Sequence, residues 1–309
     1  MSLTDLGSGT YQIDVYEMGI PERTAVYVLR GDRTAVIEAG PTPGAPRVLG
    51  GLEALGVRPE EVEHLIVTHV HLDHAGATGY LLRHLPNALV WVHPKGARHL
   101  HDPSRLVAGA REIYGPDFDR LFGEVVPVPA ERLRSPADGE TLDLGGRVLT
   151  FLETPGHAPH CLSVYDSATR GVFPGDAAGL RIYALVRECG RELILPSAVP
   201  PQFDPGAAIA SARRLRALEP EFVYFTHFGR AAAAVELLDH YCDLVGRMAE
   251  LAQEVVDAGG DWPEFRRRYR EWVGTSVLPP GCRPDSPKLA FDLDLNSRGL
   301  FQHFVSRRS

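Results

Sequence analysis

The segment THVHLDH over 68–74 constrains this chain more strongly than any other part of its sequence. It overlaps the end of an apolar run, HLIVTH over 64–69, that predicts a buried strand. Imidazole and carboxylate groups are ligands that zinc and similar divalent metals prefer. The four such groups in this segment exceed what one tetrahedral ion needs when positions stay open for chemistry. The segment therefore predicts a site for two metal ions, with the candidate ligands His69, His71, Asp73 and His74.

Three further candidate ligands stand at the ends of other strand-like segments. They are His157 in TPGHAPH, Asp176 in FPGDA and His227 in FTHFG. Each lies close to a glycine, which leaves room for the backbone and a metal ion to approach each other. Because one short segment cannot enclose two ions, we expect these three residues to complete the site.

Short segments rich in β-branched and aromatic residues predict two series of strands. The first contains 11–16, 25–30, 34–39, 64–69 and 88–93, the second contains 139–144, 147–154, 161–166 and 171–176, and one more strand is predicted over 221–227. Helices are predicted over 45–55, 76–85, 205–218 and 231–257, with a mostly helical insertion over 94–123 and a helical tail beyond 261. A strand, a helix and a strand over 64–93 form a βαβ unit. The pattern predicts an α/β fold with two packed sheets and flanking helices.

The amino-acid composition and net charge restrict the kinds of molecule that this protein is expected to bind. Hydrophobic residues make up 44% and charged residues 23%, which is typical of a globular protein with a sizeable core. The net charge of −8 works against a general affinity for nucleic acid or anionic lipid. The sequence contains no apolar run near the roughly 18 residues of a membrane span, and MSLTDLGSGT lacks a signal-peptide pattern. We expect a cytoplasmic protein that acts on a small molecule and has no nucleic-acid or membrane partner. The sequence leaves open whether it forms a homodimer.

The four cysteines lie far apart in the sequence, at Cys161, Cys189, Cys242 and Cys282. They form no C-x-x-C pair, which argues against a disulfide scaffold and against a thiolate zinc site. We expect them to be small buried apolar residues.

The seven candidate ligands, in their order and local context, resemble the metal ligands of the metallo-β-lactamase-fold hydrolase superfamily. The resemblance extends over roughly residues 10–230. It implies an αββα four-layer sandwich of two mixed sheets flanked by helices, with a helical C-terminal appendage. The implied domains are 1–230, with 94–123 as a helical cap insertion, and a mainly helical extension over 231–309.

The resemblance also implies which ligands hold each of the two metal ions. By carry-over from the family, His69, His71 and His157 hold one metal, Asp73, His74 and His227 hold the second, and Asp176 bridges them. Two divalent ions share a hydroxide whose pKa is lowered toward neutrality, and this hydroxide attacks the substrate. The two carboxylates, Asp73 and Asp176, are the expected catalytic residues. Zinc is the expected metal, with iron and manganese as alternatives.

Three residues near the motifs have open roles. Glu38, in VIEAG, stands where many relatives carry an aspartate that orients a metal-binding histidine, and it is equally interpretable as a strand-end carboxylate. His160 is interpretable as a substrate contact or as a loop histidine. Tyr183 lies farther from Asp176 than the tyrosine that quorum-quenching lactonases place after their bridging aspartate.

Within the superfamily, the residues favour some branches over others. Zinc β-lactamases that act on antibiotics typically replace the bridging aspartate or lack it, whereas Asp176 is present here. Hydroxyacylglutathione hydrolases share the full ligand set and a helical C-terminal region, to which the tail with Lys288 is a loose parallel. We expect a dinuclear hydrolase of a small ester, thioester or lactone. The alternatives are an iron-dependent oxygen or sulfur redox enzyme on the same ligands, and a sensor that keeps its metals without turnover.

Overall fold

The structure is a computed structural model that describes residues 2–286 and 289–307, so that Lys288 lies outside the described residues. The strands are β1 (Leu3–Asp5), β2 (Thr10–Asp14), β3 (Ala25–Arg30), β4 (Thr34–Ile37), β5 (Val62–Ile66), β6 (Leu89–Trp91), β7 (Leu133–Arg134), β8 (Thr141–Asp143), β9 (Val148–Glu153), β10 (Leu162–Asp166), β11 (Gly171–Phe173), β12 (Leu180–Arg181), β13 (Ile194–Leu195), β14 (Phe222–Tyr224) and β15 (Arg230–Ala231). The helices are α1 (Ala45–Ala54), α2 (Leu72–Ala75), α3 (Thr78–Leu82), α4 (Pro94–His101), α5 (Ser104–Tyr114), α6 (Phe118–Phe122), α7 (Tyr183–Cys189), α8 (Pro205–Arg216), α9 (Ala234–Asp257), α10 (Trp262–Trp272) and α11 (Ala290–Ser306).

The chain forms two compact units, and the first contains residues up to 153 together with 162–175 and 222–230. Its first sheet has the order β1-β2-β3-β4-β5-β6-β7, antiparallel as far as β4 and parallel from there onward. The second sheet has the order β15-β14-β11-β10-β9-β8. It is antiparallel from β8 to β11, and β11 pairs in parallel with β14. Both sheets are therefore mixed, as predicted.

The core of the first unit lies on both faces of its first sheet. On one face, Val48 and Leu52 of α1 and Leu81 of α3 are buried in one apolar cluster with strand residues such as Val36 and Leu65. On the other face, aromatic side chains join the two sheets. The Tyr27 ring lies 5.2 Å from that of Phe173 and 5.7 Å from that of Tyr224, centroid to centroid, and the Tyr27 hydroxyl donates to the Phe225 carbonyl. A helix layer and two facing sheets result, because strands with apolar side chains on both faces need cover on both.

The second unit contains residues 154–161, 176–221 and those from 231 onward. It is mainly helical, with β12 and β13 as an antiparallel pair. Helix α9 has a buried apolar stripe at helical spacing, formed by Leu237, Leu238, Tyr241, Leu244, Val245, Met248, Leu251, Ala252, Val255 and Val256. Helix α10 begins where the sequence predicts, because Asp261 caps it by accepting a hydrogen bond from the Glu264 amide at 3.0 Å.

These features confirm the predicted α/β class with two mixed sheets, flanking helices and a helical C-terminal region. Helices α4, α5 and α6 occupy the segment predicted as a cap, but its role as a cap stays a prediction. The division into domains at residue 230 likewise stays a prediction. Among the described helices, none is both long enough and apolar enough to span a membrane.

One buried histidine of the first sheet gives a prediction on stability. His64 on β5 is 5% exposed and accepts a hydrogen bond from Trp91 Nε1 at 3.1 Å. Burial, with a contribution from Arg33, lowers its pKa to about 4. Because the folded pKa lies below the unfolded value of about 6.5, the folded protein binds fewer protons between these two pH values. We expect His64 to contribute about 3 kcal/mol to the free energy of unfolding above pH 6.5, and to lose this as the pH falls toward 4.

Urea unfolding of the wild type and of His64→Gln at several pH values checks this expectation. The glutamine can still accept the bond from Trp91 but has no proton to gain in this range. The difference in unfolding free energy between the two proteins should therefore change with pH below 6.5. A constant difference would show that His64 does not titrate as expected.

Candidate metal centre

The candidate ligands of the motif 68–74 stand at the end of a buried parallel strand. Strand β5 ends at Ile66, earlier than the predicted end at 69, so His69 lies in the loop that follows. The carbonyl of His71 accepts hydrogen bonds from the amides of His74 at 3.0 Å and Ala75 at 2.8 Å, which starts the short helix α2. His69 and His71 therefore precede the helix, whereas Asp73 and His74 lie within it, so their side chains leave the backbone in different directions.

Two ligand atoms of the first unit, from His74 and His227, lie close to the carboxylate of Asp73. Its Oδ2 lies 3.5 Å from Nε2 of His74 and 3.6 Å from Nε2 of His227. His227 comes from the loop between β14 and β15, more than 150 residues later in the sequence. All three ligand atoms lie within 4.8 Å of one another. The structure therefore brings His227 next to two ligands of the motif 68–74.

His69 and His71 bring two further candidate ligand atoms close together in the loop before α2. His69 Nε2 is 3.1 Å from His71 Nδ1, and the His69 ring centroid is 4.0 Å from that of His74. His69 and His74 are fully buried, whereas His71 is partly exposed. The candidate ligand rings of this motif therefore lie partly in the protein interior and partly near the surface.

Buried Glu38 sets the orientation of two of these rings. Its Oε1 lies 3.0 Å from His74 Nδ1 and accepts a hydrogen bond from the Thr68 hydroxyl at 2.5 Å. In the neutral ring, His74 Nδ1 must then carry the proton, because a carboxylate only accepts. The Thr68 oxygen, having donated to Glu38, accepts from His69 Nδ1 at 3.1 Å. In both rings Nε2 consequently keeps its lone pair, which is the form that binds a metal.

Glu38 itself is held in an uncommon conformation. It is 0% exposed and has a φ of +69°, in the left-handed region that favours glycine, asparagine and aspartate. Two more groups donate to its carboxylate, the Thr68 amide at 3.2 Å and the Thr226 hydroxyl at 3.0 Å. These bonds hold the residue in place. Of the two interpretations of Glu38 from the sequence, the contacts support the one that orients histidines.

The second unit carries the other two candidate ligands next to each other. His157 Nε2 lies 3.5 Å from Asp176 Oδ2. His157 Nδ1 lies 2.8 Å from the Ser197 carbonyl, which can only accept, so Nε2 of the neutral ring again keeps its lone pair. The Ser197 hydroxyl donates to Asp176 Oδ2 at 2.8 Å. Ser197 thus positions both residues, and no pattern in the sequence pointed to it because it lies far from every motif.

The donor set in both units fits a divalent cation. Two ligand atoms at 2.0–2.1 Å from a tetrahedral zinc ion are about 3.3 Å apart. The separations of 3.5 Å at His74 and Asp73, 3.6 Å at His227 and Asp73, and 3.5 Å at His157 and Asp176 are close to this value. At His74 and at His157, a ring lone pair faces a carboxylate oxygen, an arrangement that a cation between them stabilises. The residues present therefore fit a metal.

Two glycines near the ligands, Gly156 and Gly175, lie close to neighbouring protein segments. A Cβ on Gly175, which has a φ of +55°, would lie 2.3 Å from Thr68 Oγ1. A Cβ on Gly156 would lie 2.4 Å from the Ala208 backbone. Glycine therefore allows close approach of a neighbouring protein segment at both positions, and room for a metal ion beside them stays a prediction.

Other residues singled out in the sequence make contacts of their own. Tyr183 lies under the Arg181 guanidinium at 4.9 Å, and Arg181 forms a bidentate ion pair with Glu192. His160 is buried in the second unit. These contacts assign neither Tyr183 nor His160 a role at the ligands, and both roles stay open.

An apolar cluster lies beside the ligands of the first unit. Leu72, between His71 and Asp73 in the chain, packs with the buried side chains Phe118, Leu121 and Phe122 of α6. Partly buried side chains pack against this cluster, namely Met18, Leu106, Val107, Ala110, Tyr114 and Val125. The predicted cap is therefore packed directly on the ligand motif.

Comparison with known proteins identifies the family of this chain. The sequence profile of the metallo-beta-lactamase superfamily matches residues 19–227. The chain therefore belongs to the metallo-β-lactamase superfamily. Together with the His/Asp cluster, family membership supports a metal-binding protein of the hydrolase type.

Individual relatives extend the comparison. The metallo-beta-lactamase fold-containing protein ST1585 of Sulfurisphaera tokodaii is 26% identical over 267 residues, which are 85% of this chain and 94% of the relative. A crystal structure of ST1585 from Sulfolobus tokodaii, covering 98% of this chain and all of its own, has a TM-score of 0.70 at 21% identity and shares the fold.

Two relatives have names that state an activity. The acyl-coenzyme A thioesterase MBLAC2 of Gallus gallus is 31% identical over 186 residues, 55% of this chain and 63% of the relative. The N-acyl homoserine lactonase AttM of Azorhizobium caulinodans is 32% identical over 111 residues, 35% of this chain and 37% of the relative. Each likeness covers part of the chain.

Proposed function

We propose that this protein is a dinuclear metal-dependent hydrolase of a small ester, thioester or lactone. In this proposal the ligands are His69, His71, Asp73, His74, His157, Asp176 and His227, divided between the two ions as the family resemblance implies. The proposed metal is zinc, with iron or manganese as alternatives. The observation that carries the proposal is the convergence of Asp73 with His74 and His227, with the His74 ring oriented by Glu38.

The side chains have distinct tasks in the proposed reaction. Bound divalent ions supply Lewis acidity and lower the pKa of water toward neutrality. Asp73 and Asp176 supply the negative charge that offsets repulsion between two cations. Glu38 and Ser197 keep the protons of His74 and His157 on Nδ1, so that Nε2 stays basic. Glu38 and Ser197 thus fix the proton positions of these two ligand rings before a substrate binds.

Two observations support the substrate class. The names of the relatives MBLAC2 and AttM state a thioesterase and a lactonase, and both reactions break an acyl bond to a sulfur or oxygen atom. The apolar cluster around Leu72 borders the ligand motif and includes partly buried side chains of α5. An apolar wall beside polar ligands suits an acyl group whose carbonyl lies at the ligands.

The metal content of protein purified without chelator or added metal tests the proposal. We expect about two zinc equivalents per chain by elemental mass spectrometry and hydrolysis of at least one substrate in a panel of thioesters, lactones and esters. Dialysis against a chelator should lower the hydrolysis rate about 100-fold or more, and added zinc should restore it. The melting temperature should fall as well, because a ligand of the folded state stabilises it.

A matched control uses the same chelator already saturated with zinc, which should leave both rate and melting temperature unchanged. Full activity after complete metal removal would contradict the proposal. Iron as the main metal, with oxygen uptake in place of hydrolysis, would contradict it in favour of a redox enzyme.

A further inference from the structure

Two cysteines that are far apart in the sequence meet in the second unit. The Sγ atoms of Cys189 and Cys282 are 3.1 Å apart, although 93 positions separate them in the chain. Both side chains are partly exposed, whereas Cys161 is buried. The expectation that all four cysteines are buried is therefore wrong for this pair, and also for Cys242, which is partly exposed as well.

We propose that Cys189 and Cys282 form a redox-active dithiol that oxidises to a disulfide. A disulfide needs a sulfur separation of about 2.05 Å, so the two sulfur atoms must approach by about 1 Å. The partial exposure of both side chains gives a small oxidant access to them.

The backbone on both sides can accommodate this movement. Cys189 is the last residue of α7, and Gly190 ends the helix in the left-handed conformation with a φ of +65°. Cys282 follows Gly281, which has a φ of +90°, in a turn where the Cys282 amide donates to the Pro279 carbonyl at 3.1 Å. Cys189 thus lies at a helix end and Cys282 in a turn, where the backbone is less constrained than inside a long helix or a sheet.

The oxidation is balanced with a small disulfide such as oxidised glutathione as the oxidant. The thiolate of one cysteine attacks a sulfur atom of the glutathione disulfide, and one glutathione thiolate leaves. The thiolate of the other cysteine then attacks the mixed disulfide, which forms the bond between the cysteines and releases the second glutathione. The protein loses two electrons and two protons, and two glutathione thiols are formed.

The same unit contains a suitable control. Cys242 on α9 is also partly exposed, and its Sγ lies 3.8 Å from the Ile209 carbonyl. Burial raises the pKa of the Cys242 thiol, which lowers its thiolate fraction near neutral pH. Cys242 should therefore react slowly with glutathione disulfide.

The experiment incubates the reduced full-length protein with oxidised glutathione, followed by an acid quench, thiol counting and peptide mapping. We expect the thiol count to fall from four to two and the peptides of Cys189 and Cys282 to be joined. Closing so long a loop should raise the melting temperature by about 5 °C, and reduction should reverse this.

Cys189→Ser should abolish the cross-link and the rise in melting temperature, leaving a glutathione adduct on Cys282. Cys242→Ser should form the cross-link as the wild type does. Four thiols remaining after oxidation would overturn the proposal. So would joined peptides that contain Cys161 or Cys242, or mixed disulfides with glutathione as the only products.

Discussion

Replacing Asp73 by alanine is expected to lower kcat/KM about 10³-fold or more on any substrate that the protein hydrolyses. The carboxylate lies between the Nε2 atoms of His74 and His227, so its loss removes the anionic member of that group. The bound metal should fall from about two equivalents per chain to about one. Activity assays and elemental analysis of the purified variant measure both effects. The side chain is partly exposed, so the fold should tolerate its removal.

His84→Ala is the matched control for this variant. His84 is an exposed histidine of the same unit, whose ring lies 5.2 Å from that of Tyr80. Its removal should leave metal content and rate unchanged. His69→Ala, which removes a fully buried ligand, should abolish turnover as Asp73→Ala does. Normal activity of either ligand variant would contradict the assignment of the site.

Replacing Glu38 by alanine is expected to lower the free energy of unfolding by about 3–5 kcal/mol. Glu38 is fully buried and accepts bonds from Thr68 and Thr226, and its loss leaves these donors unsatisfied. Zinc affinity should also fall about 10- to 100-fold, because His74 and His69 lose the group that fixes their protons. Urea unfolding of the metal-free protein and zinc titration measure the two effects separately.

The variant Glu38→Asp separates the effect of Glu38 on the stability of the fold from its effect on the orientation of the histidine ligands. Aspartate keeps the charge and suits the left-handed conformation at φ +69° better, but it is one methylene shorter. We expect it to recover most of the stability and only part of the zinc affinity. The exposed Glu60→Gln should change neither quantity. Zinc affinity at the wild-type level in Glu38→Ala would show that Glu38 stabilises the fold without orienting the ligands.

Helix α9 and strand β3 could be predicted from the sequence, because α9 has apolar residues at helical spacing and β3 is a run rich in β-branched and aromatic residues. Helix α9 was predicted over 231–257 and spans Ala234–Asp257, and the predicted strand 25–30 matches β3. The two-residue strands β7, β12 and β13 and the short helix α7 were not predicted. Elements this short have no measurable period, and tertiary contacts alone hold them in place.

The chemical nature of the candidate site was determined by the sequence itself. The pattern of histidines and aspartates in 68–74, with His157, Asp176 and His227, indicated a family and a metal because few other functions need those side chains so close together. The tertiary structure alone decided that Nδ1 of His74 and of His157 carries the ring proton and that Nε2 faces an aspartate. It also brought Cys189 to Cys282. Proton positions and sulfur contacts depend on partners distant in the chain, such as Glu38 and Ser197, and no local pattern encodes such partners.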